Sequence, residues 1–233
     1  MKDNCSIYDA KKTWTTFFMQ AEMAYPCEYV IRIFKGEYPR LNLKKDCFLH
    51  KKICDIGCGD GRNLVLLKQV GLDIYGVEIT KEIVDKATNN LRSGGILDAS
   101  VVVGSNRDIP FEADFFDFLL SWNACYYMGA RIDFDAHVVE FARVLKPGGR
   151  LILSIPKKSC FIYHESETSS PGYQVIKNDP FNLRNGEILR MFDGEKDIQK
   201  TFSSHFENFV FGSIEDDCFG FDYHWHLVVC TRK

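Results

Sequence analysis

The sequence predicts an α/β fold in which an N-terminal helical cap precedes a doubly wound, mostly parallel sheet that ends in an antiparallel hairpin. Three observations carry this. Short apolar runs alternate with helical segments between residues 51 and 155, the pattern of a parallel sheet with crossover helices. Gly57, Gly59 and Gly61 cluster where the first strand runs into its helix. Two further apolar runs, Phe206 to Ile214 and Tyr223 to Cys230, follow one another with no helix between them, which makes them a hairpin.

The elements follow in order. In the cap, Ser6 to Met23 carries apolar and aromatic residues at helical spacing until Tyr25-Pro26 breaks it, and Cys27 to Lys35 is a second helix ended by Gly36. Lys51 to Ile56 is the first strand, Asn63 to Val70 a helix closed by Gly71, and Leu72 to Val77 the second strand. Thr80 suits the N-cap of a helix to Leu91. Ser100 to Val103, Phe115 to Ser121 and Arg150 to Ile155 read as further strands. The helix from Asp135 to Leu145 is stopped by Lys146-Pro147-Gly148-Gly149. Lys157 to Met191 is polar, turn-rich and too long for an ordinary connection, so a lid or insertion is expected there, with a helix from Asp193 to His205 after it. The expectation is one domain over residues 1–233: cap 1–50, cofactor-binding core 51–155, lid 156–205 and hairpin 206–233.

Composition excludes several functions. With 26% charged and 45% hydrophobic residues the 233-residue chain is globular rather than disordered. A net charge of −3 gives no footprint for nucleic acid or an anionic membrane surface. No apolar run reaches the roughly 18 to 20 residues of a membrane helix, and the start lacks a signal-peptide core. Nine cysteines without a C-x-x-C pair suit free thiols in a reducing cytoplasm, the expected location, as a monomer or homodimer. Aromatics make up 14%, yet between His50 and Pro110 only Tyr75 occurs.

The strongest motif is Asp55-Ile56-Gly57-Cys58-Gly59-Asp60-Gly61. Glycines there let the backbone approach a ligand, and Glu78 at the end of the second strand can accept both hydroxyls of a ribose. The plainer alternative is a turn followed by a solvated strand end. A dinucleotide fold usually carries G-x-G-x-x-G, which is absent, and Asp55 would sit badly beside a pyrophosphate. S-adenosylmethionine, with an ammonium, a sulfonium and no phosphate, fits better.

Together, Ile53 to Gly61, Glu78, Asp108-Ile109-Pro110-Phe111, Phe116-Asp117-Phe118 and Arg143 to Leu151 resemble the successive motifs of class I S-adenosylmethionine-dependent methyltransferases. The resemblance covers about Lys51 to Ile155, and Tyr25-Pro26-Cys27-Glu28 is similar to the cap of small bacterial members. It implies a Rossmann-like seven-stranded sheet. It also implies that Asp55 and the loop Gly57, Cys58, Gly59 and Gly61 hold the methionine part, Cys58 through its backbone, and that Glu78 holds the ribose. The family's acidic partner of the adenine amino group is replaced by Ser105, followed by Asn106, either of which can accept a hydrogen bond. Ser121 and Trp122 leave the fourth strand at its carboxyl end, where ligands bind; Trp122 packs on the cofactor or fills core.

The transferred methyl is already activated, so the enzyme mainly aligns its acceptor. The antiparallel last strand begins beside the cofactor, which makes His224 the first candidate for a general base, against a purely structural role. The pair His224 and His226 lacks a third ligand, and no metal is expected. Glu215, in an acidic loop from Ser213 to Asp222, either attracts a cationic acceptor or is solvated. Asn123, Tyr126 and Tyr127 are candidate acceptor contacts, with Tyr8, Trp14, Phe181 and Phe192 as candidate walls. The N-P-P-Y signature of many nucleic-acid methyltransferases is missing at Ser121-Trp122-Asn123-Ala124. A small-molecule acceptor is therefore expected, oxygen ahead of nitrogen, such as a sugar, a surface-polysaccharide precursor or another secondary metabolite. The rivals are an S-adenosylmethionine-binding protein without catalysis and an NAD-dependent oxidoreductase.

Overall fold

The computed structural model of the chain describes residues 9–22, 25–129 and 132–233. Tyr8 lies outside them. Among the described residues, strands β1 (Lys52–Ile56), β2 (Asp73–Glu78), β3 (Ser100–Val103), β4 (Phe116–Ser121), β5 (Leu145–Pro156), β9 (Phe206–Cys218) and β10 (Phe221–Arg232) form one seven-stranded sheet of order β3-β2-β1-β4-β5-β10-β9. The first five are parallel; β10 runs antiparallel to both β5 and β9. The order reverses between β1 and β4, so a crevice opens at their carboxyl ends, as open α/β sheets require of a ligand site.

β1 sits at the centre because Ile53, Cys54 and Ile56 are buried beneath helices on both faces. Its register sets Ile53 against Ile74 and Phe118. Helix α3 (Arg62–Gln69) follows the glycine loop, and α4 (Lys81–Ser93) starts at Thr80, whose hydroxyl accepts the Ile83 N–H. In the cap, α1 (Ala10–Gln20) is capped by Asp9, which accepts the Lys12 N–H, and α2 (Glu28–Lys35) buries Val30, Ile33 and Phe34. Helix α5 (Asp135–Val144) ends one residue earlier than expected, and β5 begins at once at Leu145 rather than at Arg150. At the amino ends of the strands, Tyr75, Phe111, Phe115 and Phe116 pack together, edge to face at 4.9–5.5 Å except for Phe111 and Phe115, which stack at 5.8 Å. Part of the aromatic excess is therefore core at the far end of the sheet from the crevice.

One expectation gains detail and another changes. The segment expected as a lid or insertion is built as a second antiparallel sheet, β6 (Ser166–Ser170), β7 (Tyr173–Ile176) and β8 (Ile188–Arg190). Its strands are short and half exposed, which is why they read as polar turns. It is stitched to the chain leaving β4: Met128 N–H donates to Ile188 O at 3.0 Å, and Arg190 N–H to Tyr126 O at 2.9 Å. Helix α6 (Glu195–Phe202) follows it. The acidic stretch near the end is not a loop. β9 continues to Cys218 and only Phe219-Gly220 make the turn. Each acid is engaged: Glu215 with Lys157 Nζ at 2.5 Å, Asp216 with the Tyr29 hydroxyl at 3.2 Å, and Asp217 with Gly220 N–H at 2.8 Å.

Leu120, wholly buried in β4 between β1 and β5, tests the centrality of this strand. Leu120→Ala is expected to cost about 2–5 kcal/mol in urea unfolding followed by circular dichroism.

Candidate functional site at the carboxyl ends of the parallel strands

The crevice is a single cavity of about 1160 Å³, above the ~300–1,000 Å³ usual for one small ligand. Its floor is the glycine loop, Glu78 and the turn after β3; its roof is α1; its far wall comes from the residues after β4, the second sheet and the start of β10.

Two glycines are obligatory. Gly57 has φ +71° and a Cβ there would lie 2.6 Å from that of Ala124; Gly59 has φ +58° and its Cβ would lie 2.6 Å from the ring of Phe18 in α1. Gly61 instead caps α3 against Ala87 and Leu91, outside the cavity wall. Cys58 turns its thiol inward toward Gly76, and burial holds that thiol well above its usual pKa.

Glu78, only 5% exposed, locks the loop in place: Oε1 accepts the Gly59 N–H at 2.7 Å and Oε2 the Ile79 N–H at 2.8 Å. Burial raises its pKa while these two donors oppose the rise. Asp55 lies one layer beneath the loop, 1% exposed, with neither oxygen in a well-formed hydrogen bond. Burial pushes it up to about 8, Glu78 adding to the rise and Asn63 and Arg62 tempering it.

After β3, Ser105 lines the cavity and its Oγ accepts the Arg107 N–H at 3.3 Å, which leaves its own proton and a second lone pair. Asn106 donates Nδ2 to Ala124 O at 2.9 Å and keeps a buried Oδ1 with no partner among the described residues. After β4, Trp122 faces the cavity, whereas Ser121 is wholly buried and does not. Asn123 adopts φ +57°, clamped by Ser154: its N–H donates to Ser154 Oγ at 2.7 Å, and that hydroxyl donates back to Asn123 Oδ1 at 2.8 Å. Tyr126 and Tyr127 stack at 4.9 Å in the wall, and Trp14 meets Tyr127 edge-on at 5.7 Å. The roof is fastened where Lys86 Nζ donates to Phe18 O and Ala21 O and where the Thr15 and Thr80 hydroxyls share a 3.0 Å hydrogen bond.

Several expected residues lie elsewhere. On β10 it is Tyr223 and Trp225, stacked at 5.3 Å, that face the cavity, so strand alternation turns His224 away from it. Its Nδ1 lies 2.9 Å from Ser159 Oγ. Glu215, opposite it in register, is likewise outside the wall. Phe181 lines the cavity, but Phe192 packs under Arg190 and Phe134. Among the groups lining it that sequence reasoning missed are Phe18, Arg184 and His137. His137 Nδ1 lies 3.0 Å from Cys125 O; a carbonyl only accepts, so Nδ1 carries the proton and Nε2 the lone pair. Burial pushes this imidazole down to about 4. Its one sequence signal was a histidine on the apolar face of α5.

A parallel sheet of this order, with a left-handed glycine loop between β1 and α3 and a buried carboxylate ending β2, defines a Rossmann-like nucleoside-binding domain. Residues 54–153 match the methyltransferase domain family, in line with the class I S-adenosylmethionine-dependent methyltransferases that the sequence resembles. It is 31% identical over 140 residues to the uncharacterized methyltransferase YcgJ of Bacillus subtilis, which is 60% of this chain and about half, 53%, of that relative. Among solved structures, the PH0226 protein of Pyrococcus horikoshii superposes with TM-score 0.66 at 19% identity over 94% of this chain and 99% of that one. A SAM-dependent methyltransferase of Methanosarcina mazei gives TM-score 0.63 at 22% identity over 78% of this chain and 92% of that one. At such identities these two likenesses show the fold. No helix among the described residues is long and apolar enough to cross a membrane.

The residues present fit S-adenosylmethionine: a buried Asp55 below the loop with neither oxygen in a well-formed hydrogen bond, a loop that a Cβ would fill, and an unused acceptor at Asn106.

Because the Asp55 pKa of about 8 lies above its ordinary 3.8, this group's contribution to stability is complete below the lower value and is lost as pH rises through the upper one. Without cofactor, the urea midpoint of the wild type should fall relative to Asp55→Asn as pH is raised from about 6 to about 9. Parallel midpoints would refute the assignment.

Proposed function

We propose that the protein transfers the methyl group of S-adenosylmethionine to a small-molecule acceptor held between α1 and the second sheet. One observation carries the reading: a single cavity joins the glycine loop to an aromatic chamber, with room for a nucleoside cofactor and a second molecule. When bound, the cofactor supplies a methyl already activated by its sulfonium. Glu78 accepts from the ribose hydroxyls, and the loop backbone at Gly57 and Gly59 admits the methionine part. A cationic group bound there would favour the ionised form of Asp55 below, whose pKa burial raises to about 8 without ligand. Asn106 Oδ1 accepts from the adenine amino group, taking over from the missing acid. Trp122 covers the nucleoside, and Asn123 and Tyr127 border the acceptor.

An oxygen acceptor is favoured by His137, the neutral imidazole in the cavity wall. A hydroxyl becomes strongly acidic only as its new C–O bond forms, so even a weak base suffices to take the proton at Nε2. The absence of a basic footprint supports a small acceptor over RNA. One relative, from cattle, does carry the name probable tRNA methyltransferase 9B, at 32% identity over 103 residues and 21% of that protein's length.

Glu78→Gln should weaken S-adenosylmethionine binding in calorimetry by roughly tenfold to a hundredfold, the worth of a charged acceptor of about 1.5–3 kcal/mol. Affinity within about threefold of wild type would remove Glu78 from the ribose. The function itself is tested with methyl-labelled S-adenosylmethionine against a small-metabolite extract and, separately, total tRNA. Label is expected in a small product through a C–O bond. Label in tRNA overturns the acceptor class, a C–N product removes His137 from the chemistry, and cofactor binding without transfer leaves a non-catalytic protein.

A further inference from the structure

The acceptor end of the cavity holds a cation whose donors are only partly used. Arg184 lies in the loop between β7 and β8 and lines the cavity. Its Nε donates to the Tyr127 hydroxyl oxygen and its Nη1 to Asp179 Oδ1, both at 2.9 Å. The guanidinium stands 5.9 Å from the ring centres of both Trp14 and Phe161. Among the described residues, no hydrogen bond is made by Nη2, and this atom is not sealed off.

The loop is built to hold that group still. Asp179, whose side chain is fully buried, also accepts the backbone N–H of Leu183 at 2.8 Å and of Arg184 at 3.3 Å through Oδ2. Asp179 N–H donates to Asn185 Oδ1 at 2.7 Å, Gly186 N–H to Ile176 O at 2.7 Å and Glu187 N–H to Arg184 O at 2.8 Å. A buried ion pair seldom repays its desolvation, so it is weak evidence of a stabilising role. Set in a ligand cavity with part of its fork unbonded, an arginine is instead suited to an oxyanion such as a carboxylate or phosphate. Asp179 balances the formal charge but leaves the free edge as a donor. Glu187 shares this part of the wall and is itself engaged.

We propose that the acceptor is an oxyacid with a planar or aromatic body, its carboxylate or phosphate received by the free edge of Arg184 and its body lying among Trp14, Tyr127 and Phe161. This rests on the methyltransferase reading and adds the acceptor's charge to it.

The test uses the full chain loaded with S-adenosylhomocysteine and four small probes: benzoate, phenyl phosphate, benzamide and benzylamine, titrated by ligand-observed NMR. At least one acid should bind about tenfold or more tighter than the amide and the amine. Benzoate ahead of phenyl phosphate assigns a carboxylate, and the reverse a phosphate. Arg184→Lys, which keeps the charge without the fork, should reduce the preference. The double variant Arg184→Gln/Asp179→Asn, which leaves no lone buried charge, should abolish it, with thermal unfolding confirming that it folds. Acids no better than benzamide or benzylamine, acids unbound at millimolar concentration, or a preference that survives the double variant overturn the proposal. Wild-type protein that fails to bind S-adenosylhomocysteine sinks the methyltransferase reading instead, and the acid preference is then read on the protein alone.

Discussion

The cavity hangs from one carboxylate. Glu78 ends β2, and by accepting the N–H groups of Gly59 and Ile79 it fixes the glycine loop of β1 onto the neighbouring strand. Val77 O completes the join by accepting the Gly57 N–H at 2.9 Å. With the loop so held, its backbone takes positive φ at Gly57 and Gly59 and lies open to the crevice. Only then can α1 descend until Phe18 touches Gly59. Both carboxyl groups are costly to ionise: burial raises Glu78 and Asp55, Glu78 adds to the rise at Asp55, and a ligand with a cationic end would ease it.

The opposite end of the cavity is built on different physics. There the chain leaving β4 is paired, through Tyr126 and Met128, with β8. That pairing brings the second sheet, with its fixed Arg184, against Tyr127 and Trp14. Cofactor end and acceptor end are thus supported by separate frameworks. The first is the parallel sheet itself; the second is an insertion that can vary without disturbing the nucleoside site. The aromatics divide accordingly, some as core at the amino ends of the strands and others around the acceptor chamber.

Much of the fold was legible in the residues because its signals are local. Alternating apolar runs fix strand and helix, Thr80 and Gly36 punctuate them, and three glycines beside Asp55 mark a loop that approaches a ligand. The misreadings share a cause as well. His224 and Tyr223 are adjacent on one strand, and which of them faces the cavity depends on the phase with which β10 docks on β5. The acids near Glu215 looked like a loop because their partners, Lys157 and Tyr29, are remote in sequence.

By itself, then, the sequence determined the parallel sheet, the glycine loop and the carboxylate at the end of β2, since each is written in contiguous residues with a fixed period or spacing. The tertiary structure alone decided which side chains meet in the crevice. Phe18 over Gly59, His137 bound to Cys125 O, Asn123 clamped by Ser154 and Arg184 between Tyr127 and Asp179 are largely contacts between distant segments. Such contacts follow from strand phase and long-range hydrogen bonds, and no local pattern encodes those.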